Sequence, residues 1–232
     1  MRRRSVVAAS ISVFGALHAV LTAIPGIWRS WMIVVEPLEG MVLGPYAGFM
    51  AALVGSVAGR VVRPRTGLYA LFGISEPVGA LTAGLAFKGR WKIILTVYAA
   101  MLSAYFIHPL GRRLPAWCLW DVYLATVSIP LVRVFYRRMV SDRLNPKTLL
   151  PAVALTSFIG VEADTLTRIL LFVPCNLYKL MGVPEEALPY IWMAGAIQTP
   201  IESAVSVLVS TTVGIPTLIA LLRGRVLEWP LT

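Results

Sequence analysis

Ionisable and amide side chains interrupt several segments of this sequence that are otherwise apolar. Inside a membrane-spanning helix a charged side chain costs at least about 2.5 kcal/mol near the helix centre, so each one is a candidate functional residue that needs a partner. We therefore predict that seven residues bind a substrate: Glu36, Glu76, Glu162, Asp164, Arg168, Gln198 and Glu202. Glu39 lies on the same segment as Glu36.

Sequence spacing indicates which of these residues can pair locally. Asp164 and Arg168 are four positions apart, so they share one face of a helix and are expected to form an ion pair. Glu162 lies near the opposite side of the same helix and therefore needs a partner from another segment.

A similar depth in the membrane is the reason to group these side chains in one site. In the topology predicted below, the carboxylates fall between the middle of the membrane and its outer half. Gln198 and Glu202 share a helical face beside Pro200, whose missing N–H frees a carbonyl as a further acceptor. We predict a polar cavity open to the outside. For each carboxylate the alternatives are burial in the protonated form and a water-lined surface without a ligand.

Motifs for metal, nucleotide or nucleophilic chemistry are absent from the sequence. His18 and His108 are far apart, which favours lone polar contacts over metal ligation. The sequence has no HExxH, GxSxG or glycine-rich phosphate loop. We expect no catalytic residue, metal or cofactor, and active transport would need ATPases on other chains. Cys118 and Cys175 lie near segment ends; a disulfide is conceivable, and two unpaired thiols are the alternative.

The elements that must position these residues are membrane-spanning helices. The chain has 232 residues, of which 58% are hydrophobic and 14% charged, more apolar surface than a soluble domain of this size can bury. A spanning helix needs about 20 apolar residues. We predict an all-α, polytopic transmembrane bundle with short loops, no soluble domain and six to eight spans. The eight candidate segments are Val6–Ile24, Ile27–Leu43, Tyr46–Val62, Leu68–Phe87, Ile93–Leu110, Trp117–Tyr136, Leu149–Pro174 and Tyr190–Leu222.

These segments form one integral membrane domain over residues 1–232, in three parts. Residues 1–62 hold the first span and a helical hairpin linked by Gly44-Pro45, residues 63–147 hold the middle spans, and residues 148–232 hold the final helix pair. Pro200 and Pro216 are plausible kink sites in the long last segment.

The basic residues between the segments predict the orientation of the chain. The net charge of +10 does not favour a nucleic-acid partner, because the cations are divided among short loops. Basic loops stay cytoplasmic, which predicts a plasma-membrane protein with both termini inside. The predicted inner cations are Arg2–Arg4, Lys88, Arg90, Lys92, Arg137, Arg138, Arg143, Lys147, Arg223 and Arg225. Arg60, Arg63, Arg65, Arg112 and Arg113 fall on the other side, which keeps six spans possible.

Small residues recur at helical spacing on two segments. Ala8, Ser12, Ala16, Ala19 and Ala23 share one face of the first segment, and Ala47, Ala51, Gly55 and Gly59 recur every four residues on the third. Small residues allow helices to approach closely in lipid. One interpretation is packing within the protein; the other, which we carry forward, is that these residues bind a separate membrane subunit.

Aromatic residues cluster near the presumed outer ends of the segments. An interfacial belt is the simplest interpretation, and stacking on a ring-bearing ligand is the alternative. The residues concerned are Trp28, Trp31, Trp120, Tyr123, Tyr190 and Trp192.

The run VEPLEGMVLGPYAGF, from Val35 to Phe49 and continuing to Ala51, Gly55 and Gly59, resembles a family of membrane proteins. It is similar to the second and third helices of the substrate-binding subunits of energy-coupling-factor (ECF) transporters, where a Leu-Gly-Pro-x-x-Gly turn links a short helix to a glycine-rich one. The first span, with Ala8, Ser12 and Ala16, is similar to that family's small-xxx-small helix. The final helix pair, with Asp164 and the run TPIE from Thr199, also resembles the family, although its members usually have six helices.

This resemblance implies a substrate-binding subunit that captures a vitamin-like small molecule from outside. It implies a lid formed by the connection from Pro25 to Val35, a transmembrane coupling subunit that contacts the first span, and two ATPase subunits. The excess of carboxylates favours a cationic or hydrogen-bond-donating substrate, such as an amine-bearing heterocycle. Two other functions remain open: a membrane-embedded hydrolase that uses Glu162, Asp164 and Glu202 as acid and base, and a stand-alone cation-coupled carrier.

Overall fold

The computed structural model describes residues 2–26, 29–63, 67–142 and 145–224. The secondary structure of these residues is helical apart from an isolated β-bridge between Pro25 and Ser30. The α-helices are α1 (Arg2–Ala23), α2 (Glu36–Leu43), α3 (Pro45–Val62), α4 (Ser75–Phe87), α5 (Trp91–Ile107), α6 (Trp120–Ser128), α7 (Leu131–Ser141), α8 (Pro146–Phe172), α9 (Leu177–Leu180), α10 (Leu188–Val209) and α11 (Ile215–Arg223). Short 3-10 helices cover Trp31–Val34, Gly67–Ile74, Ala116–Leu119 and Glu185–Ala187, and a π-helix covers Ser210–Gly214.

Among the described residues, five helical segments are long and apolar enough to cross a membrane. They are α1, α3, α4 with the 3-10 turn before it, α8, and the stretch from Glu185 to Arg223. A sixth is counted if α6 and α7, which meet at 51°, form one bent span. Pro130 lies at this bend, where a residue without an N–H interrupts helical hydrogen bonding. The all-α prediction is confirmed, and the number of spans by length and hydropathy is five or six.

The predicted second span, Ile27–Leu43, is not a continuous helix. Among its described residues, 29–43, only Glu36–Leu43 forms an α-helix, and eight residues are too few to cross a bilayer. Pro37 stands in its first turn, where a missing N–H costs nothing, which favours a helix start at this point. Gly44, with φ of 87°, ends α2, and Pro45 begins α3. The predicted turn at Gly44-Pro45 is confirmed.

The segment between α1 and α3 nevertheless carries the chain back along the length of α1. Helices α1 and α3 run parallel, because Gly55 faces Gly15 and His18 while Gly59 faces Ala19 and Thr22. A Cβ on Gly55 would lie 2.5 Å from His18 Cβ, so the small residues of α3 let the two helices approach closely. The connection with α2 therefore forms a return pass without a spanning helix.

The two Glu-Pro sequences begin two neighbouring parallel helices. Glu36 stands in the first turn of α2 and Glu76 in the first turn of α4. Gly40 in the middle of α2 leaves only 2.0 Å between a hypothetical Cβ and the Ala80 carbonyl oxygen. This close packing places both carboxylates at the same level of the bundle.

Helix α8 lies at the centre of the bundle and α1 at its edge. Of the most apolar 18-residue window of each helix, 72% is buried in α8 and 17% in α1. Asn145 caps α8 by accepting a hydrogen bond of 3.0 Å from the Lys147 N–H. Most of the apolar surface of α1 is therefore not covered by the rest of the described structure.

Both ends of the described chain lie at the same end of the bundle. Val6 and Val7 near the start of α1 pack in one cluster with Ile219 and Leu221 of α11. We call this end of the molecule the basic end, because its turns and helix ends carry Lys88, Arg90, Lys92, Arg137, Arg138, Lys147 and Arg223. Arg65, Arg143, Arg225 and the predicted belt residue Trp28 lie outside the described residues. The division of the domain into three parts stays a prediction.

The last predicted segment is confirmed as one long helical stretch with a local irregularity. Helix α10 continues through Pro200 without a break. The π-helix ends at Gly214, two residues before Pro216, and the missing N–H of that proline explains the widened turn.

Candidate ligand-binding site

An arginine in the connection between α1 and α2 joins two of the predicted carboxylates. The Arg29 backbone N–H and Nε donate to Glu202 at 2.8 and 2.6 Å. Its Nη1 donates to Asp164 at 2.9 Å and to the Thr165 hydroxyl at 3.0 Å. Arg29 is only 4% exposed, so these bonds hold the connection inside the helix bundle.

Two further arginines converge on Glu76. Arg60 donates through Nη1 and Nη2 to the two Glu76 oxygens at 3.0 and 2.7 Å. Arg168 donates through Nε to Asp164 at 3.0 and 3.1 Å and through Nη2 to Glu76 at 3.4 Å. The structure thus contains the expected pair of Asp164 and Arg168, but as part of a larger network. Three arginines and the carboxylates of Glu76, Asp164 and Glu202 are linked from segments far apart in sequence.

His18 extends this network towards α1 and α2. Its Nδ1 lies 2.9 Å from both carboxylate oxygens of Glu39, and its Nε2 lies 3.4 Å from Glu76. The sequence predicted a lone polar contact at this position. The structure instead places the imidazole between two carboxylates with no exposed surface.

A cavity of about 360 Å³ lies above this network, at the end of the bundle opposite the basic end. Its polar lining includes Arg29, Arg60, Glu76, Asp121, Arg168 and Thr199. The volume is in the range of small-molecule sites, which are mostly apolar with a few convergent polar groups.

Aromatic side chains form an apolar wall of the cavity. The rings of Phe172 and Trp192 are stacked, with centroids 6.1 Å apart and planes 16° apart. Phe72 contacts Phe172 at 6.0 Å, and the Arg168 guanidinium lies 5.9 Å from the Phe72 centroid. Trp192 lines the cavity and is only 6% exposed, whereas Trp120 and Tyr190 are exposed. Trp192 is therefore not part of the predicted interfacial belt.

The predicted substrate-binding residues divide into three groups. Glu76 and Arg168 line the cavity. Asp164 and Glu202 lie behind its lining, bound to Arg29. The remaining three, Glu36, Glu162 and Gln198, are not part of the lining.

Glu36 and Glu162 are fully buried. Glu162 accepts a hydrogen bond from the Ser203 hydroxyl, which provides the distant partner that its position required. Glu36 fits against Gly79, where a Cβ would meet its carboxylate, and within the described part of the chain neither of its oxygens has a hydrogen-bond partner. Both side chains therefore contribute to the interior without contacting the cavity.

The cavity residues that sequence reasoning missed include Arg29, Arg60, Asp121 and Thr199. A usable signal was charge balance, because several carboxylates on different segments require cations that the same segments do not provide. Arg60 was instead assigned to an outer loop, and Arg29 was treated only as part of a lid. Asp121 carried the same signal as the predicted acids, because it lies within the apolar segment Trp117–Tyr136, but it was not selected. It accepts a hydrogen bond from the Thr199 hydroxyl.

The predicted partner-binding residues differ in accessibility. Ala8, Ser12 and Ala16 are exposed on the outer face of α1. The second set, Ala47, Ala51, Gly55 and Gly59, is buried inside the chain, with Gly55 and Gly59 packed against α1. The small residues of α3 therefore serve internal packing, and only those of α1 are accessible to a partner.

The structure holds neither a disulfide nor a cluster suited to a metal within its described residues. Cys118 is buried, Cys175 is exposed, and both are free thiols. In the same described ranges, no group of three or more His, Cys, Asp or Glu side chains is placed to hold a metal ion.

Neither a family model, a curated protein nor a solved structure matches this chain.

Proposed function

We propose that the protein is the substrate-binding subunit of an ECF-type transporter, which captures a vitamin-like small molecule from outside the cell. The main support is the position of the cavity at the end opposite the basic loops. A capture subunit needs a binding site that is reached from one side and formed by several segments, and this cavity has both properties.

The distribution of cations supports the orientation. Basic loops favour the cytoplasmic side, so the basic end faces the cytoplasm, both termini lie inside, and the cavity opens to the outside of the plasma membrane. Arg60 and Arg168 at the cavity end bind carboxylates. Their charge is therefore balanced and has little influence on orientation.

The connection between α1 and α2 has properties expected of a lid. Arg29 and Ser30 line the cavity, and the described residues of this connection contain no helix other than the 3-10 turn at Trp31–Val34. Because bonds to Asp164 and Glu202 hold Arg29 in place, a conformational change that opens the cavity would have to break them.

The exposed face of α1 supports the need for partner subunits. Ala8, Ser12 and Ala16 present a smooth exposed surface on a peripheral helix, as a docking site for a transmembrane coupling subunit requires. Two ATPases bound to that subunit would supply the energy.

The hydrolase alternative is supported by fewer observations. Asp164 and Glu202 are engaged by Arg29, Glu162 by Ser203, and none of the three carboxylates lines the cavity. A general acid or base has to reach its substrate within hydrogen-bond distance. The cation-coupled carrier has no observation that favours it over the capture subunit.

Co-purification of the tagged chain from its native cells, followed by mass spectrometry of proteins, tests this proposal. Wild-type protein is expected to retain a membrane subunit and ATPases. Ser12→Trp on the exposed face of α1 is expected to lose them, whereas Val57→Trp, a bulky change on the exposed side of α3, is expected to keep them. ATPases absent from wild-type preparations, or equal recovery with Ser12→Trp, would contradict the proposal.

A further inference from the structure

The carboxylates next to the cavity have little capacity left for a cationic ligand. Glu76 accepts from Arg60 and Arg168 and faces His18, so both its oxygens are engaged. Asp164 accepts from Arg29 and Arg168, and Glu202 accepts twice from Arg29. The expectation of a cationic substrate rested on these acids being free, and the arginines remove that argument.

Arg29 and Arg168, in contrast, have guanidinium N–H donors that are not used in these hydrogen bonds. Arg29 lines the cavity, and its Nη2 is buried with no partner among the described residues. Arg168 also lines the cavity, and no hydrogen bond from its Nη1 exists to the described part of the protein. A buried donor without an acceptor is destabilising, so a ligand acceptor that pairs with Arg29 Nη2 would gain affinity.

Arg29 and Arg168 both line the cavity, and both bond the Asp164 carboxylate, at 2.9 and 3.0 Å. A ligand carboxylate at this end of the cavity would therefore lie next to two guanidinium groups. Carboxylates are the natural acceptors for paired guanidinium N–H groups. The polar floor of the cavity therefore fits a ligand carboxylate.

A second polar group in the cavity, the Asp121 carboxylate, is a hydrogen-bond acceptor. Asp121 accepts one hydrogen bond on each oxygen, from the Thr199 hydroxyl and from the Val122 N–H at 2.9 Å. Each carboxylate oxygen can accept two hydrogen bonds, so Asp121 retains room for a ligand N–H. Phe72, Phe172 and Trp192 line the cavity with aromatic surface that a ligand ring can contact.

We infer that the cavity binds a small planar aromatic carboxylic acid with an N–H donor, its carboxylate at Arg29 and Arg168 and its N–H at Asp121. This inference rests on the proposed function, because it names the substrate class of the same site. It replaces the cationic class expected from the sequence.

Binding of matched probes to the full-length chain in lipid nanodiscs, measured by isothermal titration calorimetry, tests this inference. The probe para-aminobenzoate has both groups, benzoate lacks the amine, para-aminobenzamide has a neutral amide in place of the carboxylate, and benzylamine is a cation. The aminobenzoate is expected to bind about 10- to 100-fold more tightly than the amide, the ratio for one or two charge-assisted hydrogen bonds. Benzylamine is expected to bind more weakly than either.

Two variants test which residue binds the carboxylate of the ligand and which binds its N–H donor. Arg168→Gln is expected to remove most of the preference for the carboxylate over the amide, and the exposed Arg113→Gln is expected to leave it unchanged. Because Arg168→Gln also breaks the ion network, Asp121→Asn provides an independent test. It is expected to reduce the preference for para-aminobenzoate over benzoate while preserving the preference for para-aminobenzoate over para-aminobenzamide.

The outcomes separate the ligand class from the transporter proposal. Equal affinity for acid and amide, tighter binding of benzylamine, or no binding of any acid would overturn the ligand class, even where ATPases co-purify. Carboxylate-selective binding by a chain that recovers no ATPase would support the ligand class and reject the transporter.

Discussion

Replacing Asp164 by asparagine tests whether the buried ion network holds the bundle together. The substitution preserves size and leaves one carbonyl acceptor for Arg29 and Arg168, which now compete for it. Hydrogen bonds to charged groups contribute about 1.5–3 kcal/mol each, and a neutral bond about 0.5–1.5 kcal/mol. Two lost charge-assisted bonds less one neutral bond give a destabilisation of about 3 kcal/mol, at the lower edge of the cost of breaking a buried pair.

This free-energy loss converts to a measurable shift in thermal unfolding. For a chain of this length, 1 kcal/mol corresponds to about 2–4 °C, so Asp164→Asn is expected to lower Tm by about 6–12 °C. Intrinsic tryptophan fluorescence of the purified protein in nanodiscs follows the transition. The control is Glu186→Gln, which removes a charge from an exposed loop and is expected to stay within about 2 °C of wild type.

A double mutant makes the interpretation specific. If Arg29 is stabilised through Asp164, then Arg29→Gln costs less in the Asp164→Asn protein than in wild type, with a coupling energy of at least about 0.5 kcal/mol. A Tm for Asp164→Asn inside the range of the Glu186→Gln control, or additive effects of the two changes, would refute the view that this network stabilises the fold.

Three other predictions address packing, topology and internal burial. Gly55→Ala is expected to lower Tm by several degrees, because the new Cβ would lie 2.6 Å from the α1 backbone. The control is Gly195→Ala in α10, whose Cβ would meet nothing within 4 Å and which is expected to be neutral or slightly stabilising. Equal Tm values for the two variants would contradict the close α1–α3 packing. In intact cells, a membrane-impermeant maleimide is expected to label the wild-type protein at Cys175. Cys175→Ala is expected to abolish the label, because the other thiol, Cys118, is buried. Labelling only after permeabilisation would reverse the proposed orientation. Gly79→Ala is expected to lower the stability of the protein, because the new Cβ would occupy the position of the Glu36 carboxylate. Adding Glu36→Ala to this variant is expected to restore the stability. A double variant as unstable as Gly79→Ala alone would argue against this contact.

Local features of the site followed from the sequence, and distant contacts did not. The pair of Asp164 and Arg168 depends only on helical spacing, and the turn at Gly44-Pro45 depends only on backbone chemistry. The pair of Arg29 and Glu202 joins residues 173 positions apart, so it depends on where the connection enters the bundle. Local patterns contain no information about that position.

The same limit explains the two substantial differences in the fold. Ile27–Leu43 has the composition of a span, but Pro37 starts a short helix, and the polar Arg29 is held inside by partners that only the fold provides. The small-residue periodicity of α3 was visible, but its role was not. Whether such a stripe faces α1 or another protein depends on the helix orientation, and here Gly55 faces α1.

The central claim is that the cavity between these segments retains a small molecule. Gly195 lines the cavity and has open space around a hypothetical Cβ, so Gly195→Trp is expected to fill it without displacing the backbone. Ala99→Trp on the exposed side of α5 is the matched control. The direct measurement is mass spectrometry of small molecules released from each purified protein. We predict that one metabolite is retained by wild type and by Ala99→Trp and is lost from Gly195→Trp. Retention of that metabolite by all three proteins, or by none, would contradict the claim that the cavity holds a small molecule.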